Sequence, residues 1–272
     1  MKRQRLNWQE KVKKNVRKIM DFEHVKAVFE EYLNGYDREN DKVKLKIVHT
    51  YGVIRCSEEI GRRMGLQAED MELAKLIALL HDIGRFEQLK RFNSFEADTM
   101  DHATYGVKVL FEEGMIRQFI EEDTWDDVIR TAIAKHSDYE LTGITDERTL
   151  LHARLIRDAD KLDNCRVKLE DAMETLLDLS ADEVGKYAIS PKVREDAFAG
   201  KCICSKDRRT PMDYWVSYVA YFYDLNFQET LDIVAEEQYV KRIIGRVPYT
   251  NEQTKKTMEE LERQLTEYVI RK

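Results

Sequence analysis

Apolar residues recur at helical spacing along most of the chain, and sustained period-two alternation is hard to find. Val25, Val28, Phe29, Tyr32 and Leu33 form one such stripe, and Asn34-Gly35 reads as its stop. The pattern predicts a long helix from Lys42 to Met64, ending at Gly65, and a second from Glu69 to Leu80. The second is apolar nearly all round, which places it at the centre of the molecule. Further helices are predicted over His102 to Glu113, Trp125 to His136 and Glu147 to Leu179. The stretch from Gly84 to Asp101 mixes charge, aromatics and Asn93-Ser94, and it reads as a loop.

The texture changes near residue 180. Proline first occurs at Pro191, followed by Pro211 and Pro248. Ser180 with Glu183 has the spacing of a capping box. Ser190-Pro191 and Thr210-Pro211 each resemble an N-cap followed by proline at the first helical position. Shorter helices follow, then a polar one from Glu252 to Arg271. No internal repeat or low-complexity linker is apparent. The expected fold class is all-α, with residues 1–180 as the main helical domain and 181–272 as a helical extension packed on it.

Composition narrows the class of protein. The 272 residues hold 43 % hydrophobic and 10 % aromatic side chains, enough for a core burying roughly 70–75 % of the unfolded surface, so general disorder is excluded. Lys plus Arg number 45 against 52 Asp plus Glu, a formal net charge of −7. That balance argues against binding a nucleic-acid polymer and leaves room for a small phosphorylated substrate in a local cationic pocket. The run Leu76-Ile77-Ala78-Leu79-Leu80 is core-sized, so no membrane span is expected. The basic start Met1-Lys2-Arg3-Gln4-Arg5 has no hydrophobic segment after it, so no cleaved secretory signal is expected. Cys56, Cys165, Cys202 and Cys204 do not make a disulfide framework in a chain this long, and Cys202-Ile203-Cys204 lacks the second pair that a zinc site needs. A cytoplasmic location is the expectation.

Polar residues stand where apolar ones belong. His49 shares a helical face with Val53, Cys56 and Ile60. His136 ends the stripe of Trp125, Val128, Ile129, Ala132 and Ile133, and Asp160 shares a face with Ala153, Ile156 and Val167. His102 sits one turn before Gly106, a spacing expected to leave room beside the imidazole. His81-Asp82 closes the most hydrophobic helix. One such histidine is ordinarily a satisfied core or surface residue. Four histidines and two acids on inward faces are different, because an unpaired buried carboxylate is very costly. One or two metal ions would satisfy all six and fix the imidazole tautomers.

The strings Leu79-Leu80-His81-Asp82-Ile83-Gly84-Arg85 and Arg157-Asp158-Ala159-Asp160-Lys161-Leu162-Asp163, in that order with His49 upstream, resemble the HD superfamily of metal-dependent phosphohydrolases. The resemblance covers residues 42–170 and implies an HD-domain helical bundle. It further implies that His49, His81, Asp82 and Asp160 hold one divalent metal, and that Asp82 bridges to a second completed by His102 and His136. Manganese, iron, zinc, cobalt, nickel and magnesium all stay open as the metal. The implied chemistry is a hydroxide from a bridging water attacking phosphorus, with Asp82 at its centre. Arg85 and Lys161, each just after a motif residue, are placed to meet charge on the phosphoryl oxygens. Lys90 and Arg91 are weaker candidates for substrate charge.

The substrate class stays at a phosphomonoester or phosphodiester, with a nucleotide among the options. Phe86-Glu87 follows Gly84-Arg85, and no Gly-Tyr-Pro follows His136, unlike the branch that cleaves cyclic di-GMP. The acidic residues typical of the guanosine-tetraphosphate hydrolase branch after its His-Asp pair are likewise missing, with Glu87 arriving late. A mononuclear site is the alternative for the metal count. A di-iron oxygenase with the same ligand set and a non-catalytic binding module are the alternatives for activity. Oligomeric state is open. His24 reads as a surface residue, and His152 points about 80° away from Asp160 by the helical period. The aromatics Tyr214-Trp215, Tyr218 and Tyr221-Phe222-Tyr223 read as core or interface, or as a pocket wall if the C-terminal helices cover the metals.

Overall fold

The computed structural model describes residues 20–96 and 98–271, and every regular element among them is helical. In chain order the α-helices are α1 (Phe22–Leu33), α2 (Asp41–Met64), α3 (Ala68–Leu80), α4 (Ile83–Phe92), α5 (His102–Val107), α6 (Ile116–Phe119), α7 (Asp126–Lys135) and α8 (Glu147–Glu170). The C-terminal part adds α9 (Met173–Leu177), α10 (Ala181–Val184), α11 (Pro191–Phe198), α12 (Pro211–Ala220), α13 (Gln228–Glu236), α14 (Tyr239–Ile244) and α15 (Glu252–Arg271). None of these helices is long and apolar enough to cross a membrane.

The all-α expectation holds. Local chemistry explains most boundaries. The Asn40 side chain accepts from the backbone of Lys42 and Val43 and starts α2, and Gly65 ends it at φ 70°, a conformation glycine adopts without strain. The expected capping box of Ser180 with Glu183 forms, and Thr210, expected as an N-cap before Pro211, makes a second box with Asp213. Ser190 caps nothing through its side chain; its hydroxyl donates to Asp213 Oδ2 at 2.6 Å and ties the starts of α11 and α12 together.

Three expectations need correction. The segment from Gly84 to Asp101 is not all loop, since α4 runs through its first half with Ile83, Phe86 and Leu89 buried. Apolar residues at only every third position, among Arg85, Glu87, Lys90 and Arg91, make too sparse a stripe to stand out. The helix from Glu147 ends at Glu170 rather than Leu179, because Asp171 turns extended before the short α9 begins. Gly106 does not open space beside His102. A Cβ at Gly84 would fall 2.2 Å from the His102 carbonyl oxygen and 2.7 Å from the Gly106 nitrogen. The two glycines therefore let α4 and α5 touch backbone to backbone.

Helix α3 fills the centre, with Leu73, Leu76, Leu79 and Leu80 fully buried. It packs against α2 and α8, α7 lies on α8, and α5 bridges α4 and α7. One apolar core runs from Val25 on α1 to Val269 on α15. Two buried residues of α8 join the C-terminal helices to this frame. The Asp158 carboxylate accepts from the backbone of Asn226 and Phe227 and from the Thr230 hydroxyl, capping the start of α13. Arg157 donates to the carbonyls of Lys135, His136 and Asp138 at the end of α7, and to Asp224 Oδ2 at 2.6 Å. Those carbonyls have no partner within their own helix, so Arg157 holds the turn that carries His136.

Candidate metal centre

Each polar residue at the centre comes from a different structural position. His49 lies in the middle of α2, His81 is the C-cap of α3, and Asp82, the next residue, is the N-cap of α4. His102 opens α5, whose N-cap Asp101 accepts from Thr104 N at 3.0 Å. His136 is the C-cap of α7, and Asp160 projects from α8. Five of these six residues are at most 7 % exposed, and Asp160 faces a cavity.

The structure brings all six together. One oxygen or nitrogen from each of His49, His81 and Asp160 lies within 4.8 Å of the other two, and the same holds for His81, Asp82 and His136. His102 Nε2 is 3.3 Å from Asp82 Oδ1 and 3.1 Å from His136 Nε2. The two Asp82 oxygens face different neighbours: Oδ2 lies 3.5 Å from His81 Nε2, and Oδ1 faces His102 and His136, the latter at 3.6 Å.

The hydrogen bonds set the tautomers. His81 Nδ1 donates to the Ala78 carbonyl at 2.8 Å and His136 Nδ1 to the Ile133 carbonyl at 2.7 Å. His49 Nδ1 donates to Asp163 Oδ2 at 2.8 Å. Carbonyls and carboxylates only accept, so His81 and His136 carry a proton on Nδ1 and turn a bare Nε2 inward, while His49 stands between two carboxylates with its Nε2 3.0 Å from Asp160 Oδ1. His102 Nε2 receives Arg85 Nη2 at 3.0 Å, and a guanidinium only donates. Two imidazole lone pairs therefore meet 3.1 Å apart at His102 and His136. His81 Nε2 and Asp82 Oδ1 are buried without a hydrogen-bond partner. Bare nitrogens and an orphaned carboxylate oxygen converging in a buried site are the donor set a divalent cation takes.

Burial holds the His81 imidazole down to about 4 and that of His102 to about 3, so both are neutral at pH 7. Burial pushes the other way on Asp82 and Asp160. The attraction of Lys46 keeps Asp82 well below the usual carboxylate range, and the hydrogen bond with His49 does the same for Asp160. Neutral imidazoles and ionised carboxylates are the protonation states that metal binding requires.

The histidine of α2 depends on a glycine. Asp163 is gripped by Arg166 through both oxygens at 2.9 Å while it holds His49. A Cβ at Gly52 would fall 1.9 Å from Asp163 Oδ1. Only glycine at 52 lets the carboxylate reach His49.

The centre forms the floor of a cavity of about 540 Å³ whose walls include Lys42, Lys46, Arg85, Lys168, Arg208 and Tyr218. Arg85 is where the sequence places it. Lys161 is not: its ammonium pairs with Asp224 Oδ2 at 2.7 Å, because one residue along α8 is about 100° around the helix from Asp160. Lys90 and Arg91 are exposed on α4, bonded to the Gly35 carbonyl and to Glu87. His24 is exposed and bonded to the Gln118 carbonyl at 2.8 Å. His152 pairs with Asp70 at 3.0 Å on another face of α8. Lys46, whose ammonium is 2.6 Å from Asp82 Oδ2, and Asp163 were not foreseen as site residues. Both stand three positions from a motif residue on the same helix, Lys46 from His49 and Asp163 from Asp160, and that spacing is the signal for them.

Residues 47–165 match the family model described as HD domain. No curated protein and no solved structure matches the chain.

Proposed function

The chain belongs to the HD-domain family through residues 47–165, a family of metal-dependent hydrolases, and from that premise we propose that it is a phosphohydrolase with two divalent ions at the centre described above. The observation that carries the reading is the inward Nε2 atoms of His81 and His136, which among the described residues meet no proton donor, beside an Asp82 Oδ1 that accepts no hydrogen bond. His49, His81, Asp82 and Asp160 would hold one ion, and Asp82, His102 and His136 would hold the other. The divided outlook of the Asp82 oxygens supports the bridging role. Divalent ions held there supply Lewis acidity and lower the pKa of a bound water.

The chain's own groups do the rest. Asp163, Ala78 and Ile133 fix which imidazole nitrogen faces inward. Cations at the centre would answer the charge of Asp82 in place of Lys46, leaving its ammonium to donate to a phosphoryl oxygen. Arg85, buried with Nε unpartnered, donates to the same charge as it builds up in the transition state. Lys161 has no part in this step. The substrate is a small phosphoester, reached through the cavity and not a nucleic-acid polymer.

Metal equivalents per chain together with turnover of a phosphoester panel test this reading. About two equivalents and release of phosphate or of a phosphoester are expected, with His102→Ala retaining one equivalent and losing activity. Two irons, oxygen uptake with an organic substrate and no phosphoester turnover would assign the oxygenase chemistry instead. No bound metal after reconstitution would assign a binding module.

A further inference from the structure

Beyond the metal floor, the cavity is lined by cations that the hydrolytic step does not use. Asp160, Asn164 and Lys168 follow one another at four-residue intervals along one face of α8, so Lys168 stands two turns, about 12 Å along the axis, from the metal ligand. Lys168 is 5 % exposed, yet among the described residues its ammonium pairs with no carboxylate. It donates to Asn164 Oδ1 at 2.9 Å and lies 4.1 Å from the centre of the Tyr218 ring. On the same helix face, one turn before Tyr218, the Tyr214 ring carries the Arg208 guanidinium 4.3 Å from its centre, and among the described residues Arg208 donates only to the Ser205 carbonyl. Arg209 lines the same wall, and its side chain has no acidic partner among the described residues.

Aromatic faces therefore hold these cations in place without neutralising them. A buried ammonium without a counter-ion is costly, and three positive groups converging on open volume carry more charge than a carboxylate needs. Taking the phosphohydrolase reading as given, we propose that Lys168, Arg208 and Arg209 form a second anion subsite, which receives a phosphate of the substrate other than the one hydrolysed. The substrate class is then a small molecule bearing two phosphates separated by a spacer. The C-terminal segment supplies the arginines, so it selects the substrate while residues 47–165 supply the centre.

The test has two arms. In the first, the full chain stripped of metal by chelation is titrated with inorganic phosphate in a calorimeter, so that the floor does not contribute. Binding at one equivalent is expected, weakened roughly tenfold by Lys168→Met and by Arg208→Gln, the loss of one charge-assisted hydrogen bond each. Lys90→Ala, on the outer face of α4, is expected to leave it unchanged. Arg208 is at the cavity surface, so its variant reports on binding even if Lys168→Met folds poorly. In the second arm, the metal-loaded protein is given hexane-1,6-diol bisphosphate and hexyl phosphate. A lower KM for the bisphosphate at similar kcat is expected, and Lys168→Met raises that KM alone.

The proposal is overturned if the stripped protein does not bind phosphate, if the variants bind as tightly as the wild type, or if the two esters share one KM. Phosphate binding without turnover of either ester would keep the subsite and remove the hydrolase. Turnover of both with no phosphate binding would do the reverse.

Discussion

On the floor of the cavity each charge is answered at close range; on the far wall it is not. Three floor histidines are locked through Nδ1 by Ala78, Ile133 and Asp163, and Asp82 is met by Lys46 at 2.6 Å. Across the cavity, Lys168 and Arg208 rest on tyrosine rings. The floor is built from α2, α3, α5, α7 and α8, whose ends and faces are fixed by the core, whereas the arginines come from the loop before α12. Fixed geometry suits ions that tolerate little misplacement of their ligands. Loosely held cations suit a group that arrives and leaves with each turnover. The contrast separates a region for chemistry from a region for recognition, and the two should fail differently when disturbed.

The sharpest way to break the comparison is at Asp82. Asp82→Asn removes the charge that both halves of the floor share, and kcat is expected to fall at least about a thousandfold as metal is lost. It also strands the Lys46 ammonium. Lys46→Met does the converse and leaves Asp82 buried and unpaired, which should cost the metal-free protein about 3 kcal/mol. Metal ions take over the role of Lys46, so that cost should shrink on reconstitution. Denaturant unfolding of Lys46→Met with and without metal checks it, and an equal cost in both states would show that the cations do not sit at Asp82. Phosphate binding by the stripped protein on the far wall should survive both substitutions.

A smaller effect is expected one shell back. Gly52→Ala would ordinarily stabilise the middle of a helix by about 1 kcal/mol. Here the added Cβ meets Asp163, which cannot retreat without releasing either Arg166 or His49. The expected outcome is a metal affinity lower by about 10- to 100-fold, with the tautomer of His49 no longer fixed. Metal titration followed by competition with a chelator measures it. Unchanged affinity would mean that Asp163 has no part in holding His49.

How much of this was legible in the sequence follows the same division. The floor showed because each of its residues interrupts an apolar stripe: His136 ends one, Asp160 sits within another, and His81-Asp82 closes the central helix. Burial makes a polar residue conspicuous. Lys46 was hidden because a lysine on an amphipathic helix is ordinarily solvated, and nothing local reveals that its stem leads to a carboxylate 36 positions away. Lys161 was misplaced by the opposite error, since adjacency in sequence is not adjacency on a helix. The wall was illegible for a stronger reason. Arg208 and Arg209 lie in a polar loop, where charge is expected, and only the folding of α12 against α8 brings them over the cavity. Tyr214 and Tyr218 were visible as aromatics, but their use as supports for cations depends on that same packing. Helix α4 is faint in the sequence because apolar residues at only every third position among charges give too weak a period.

The smallest predicted effect tests the wall alone and has a sign of its own. Burial brings the Lys168 ammonium down to about 8, against the pull of Cys165, Asp160 and Asp163 on its own helix and with the repulsion of Lys46 from α2. Tyr218 and Tyr221 face it with rings 4.1 and 6.0 Å from Nζ, and Arg208 and Arg209 line the same cavity with further positive charge. Phosphate needs the charged form, so affinity should fall as pH rises through about 8, by roughly tenfold if Lys168 supplies one charge-assisted bond. Stability should move the other way. The unfolded chain keeps this lysine protonated up to about 10, so between about 8 and 10 it binds the extra proton and the contribution of Lys168 to folding grows with pH. Below about 8 both states are charged, and the burial of the ammonium weighs against folding. Calorimetric titration and chemical denaturation of the metal-free protein from pH 7 to pH 10 read the two trends together. In Lys168→Met both should flatten relative to the wild type. A wild-type phosphate affinity that stayed level across pH 8 would remove Lys168 from the subsite, whatever Arg208 and Arg209 do.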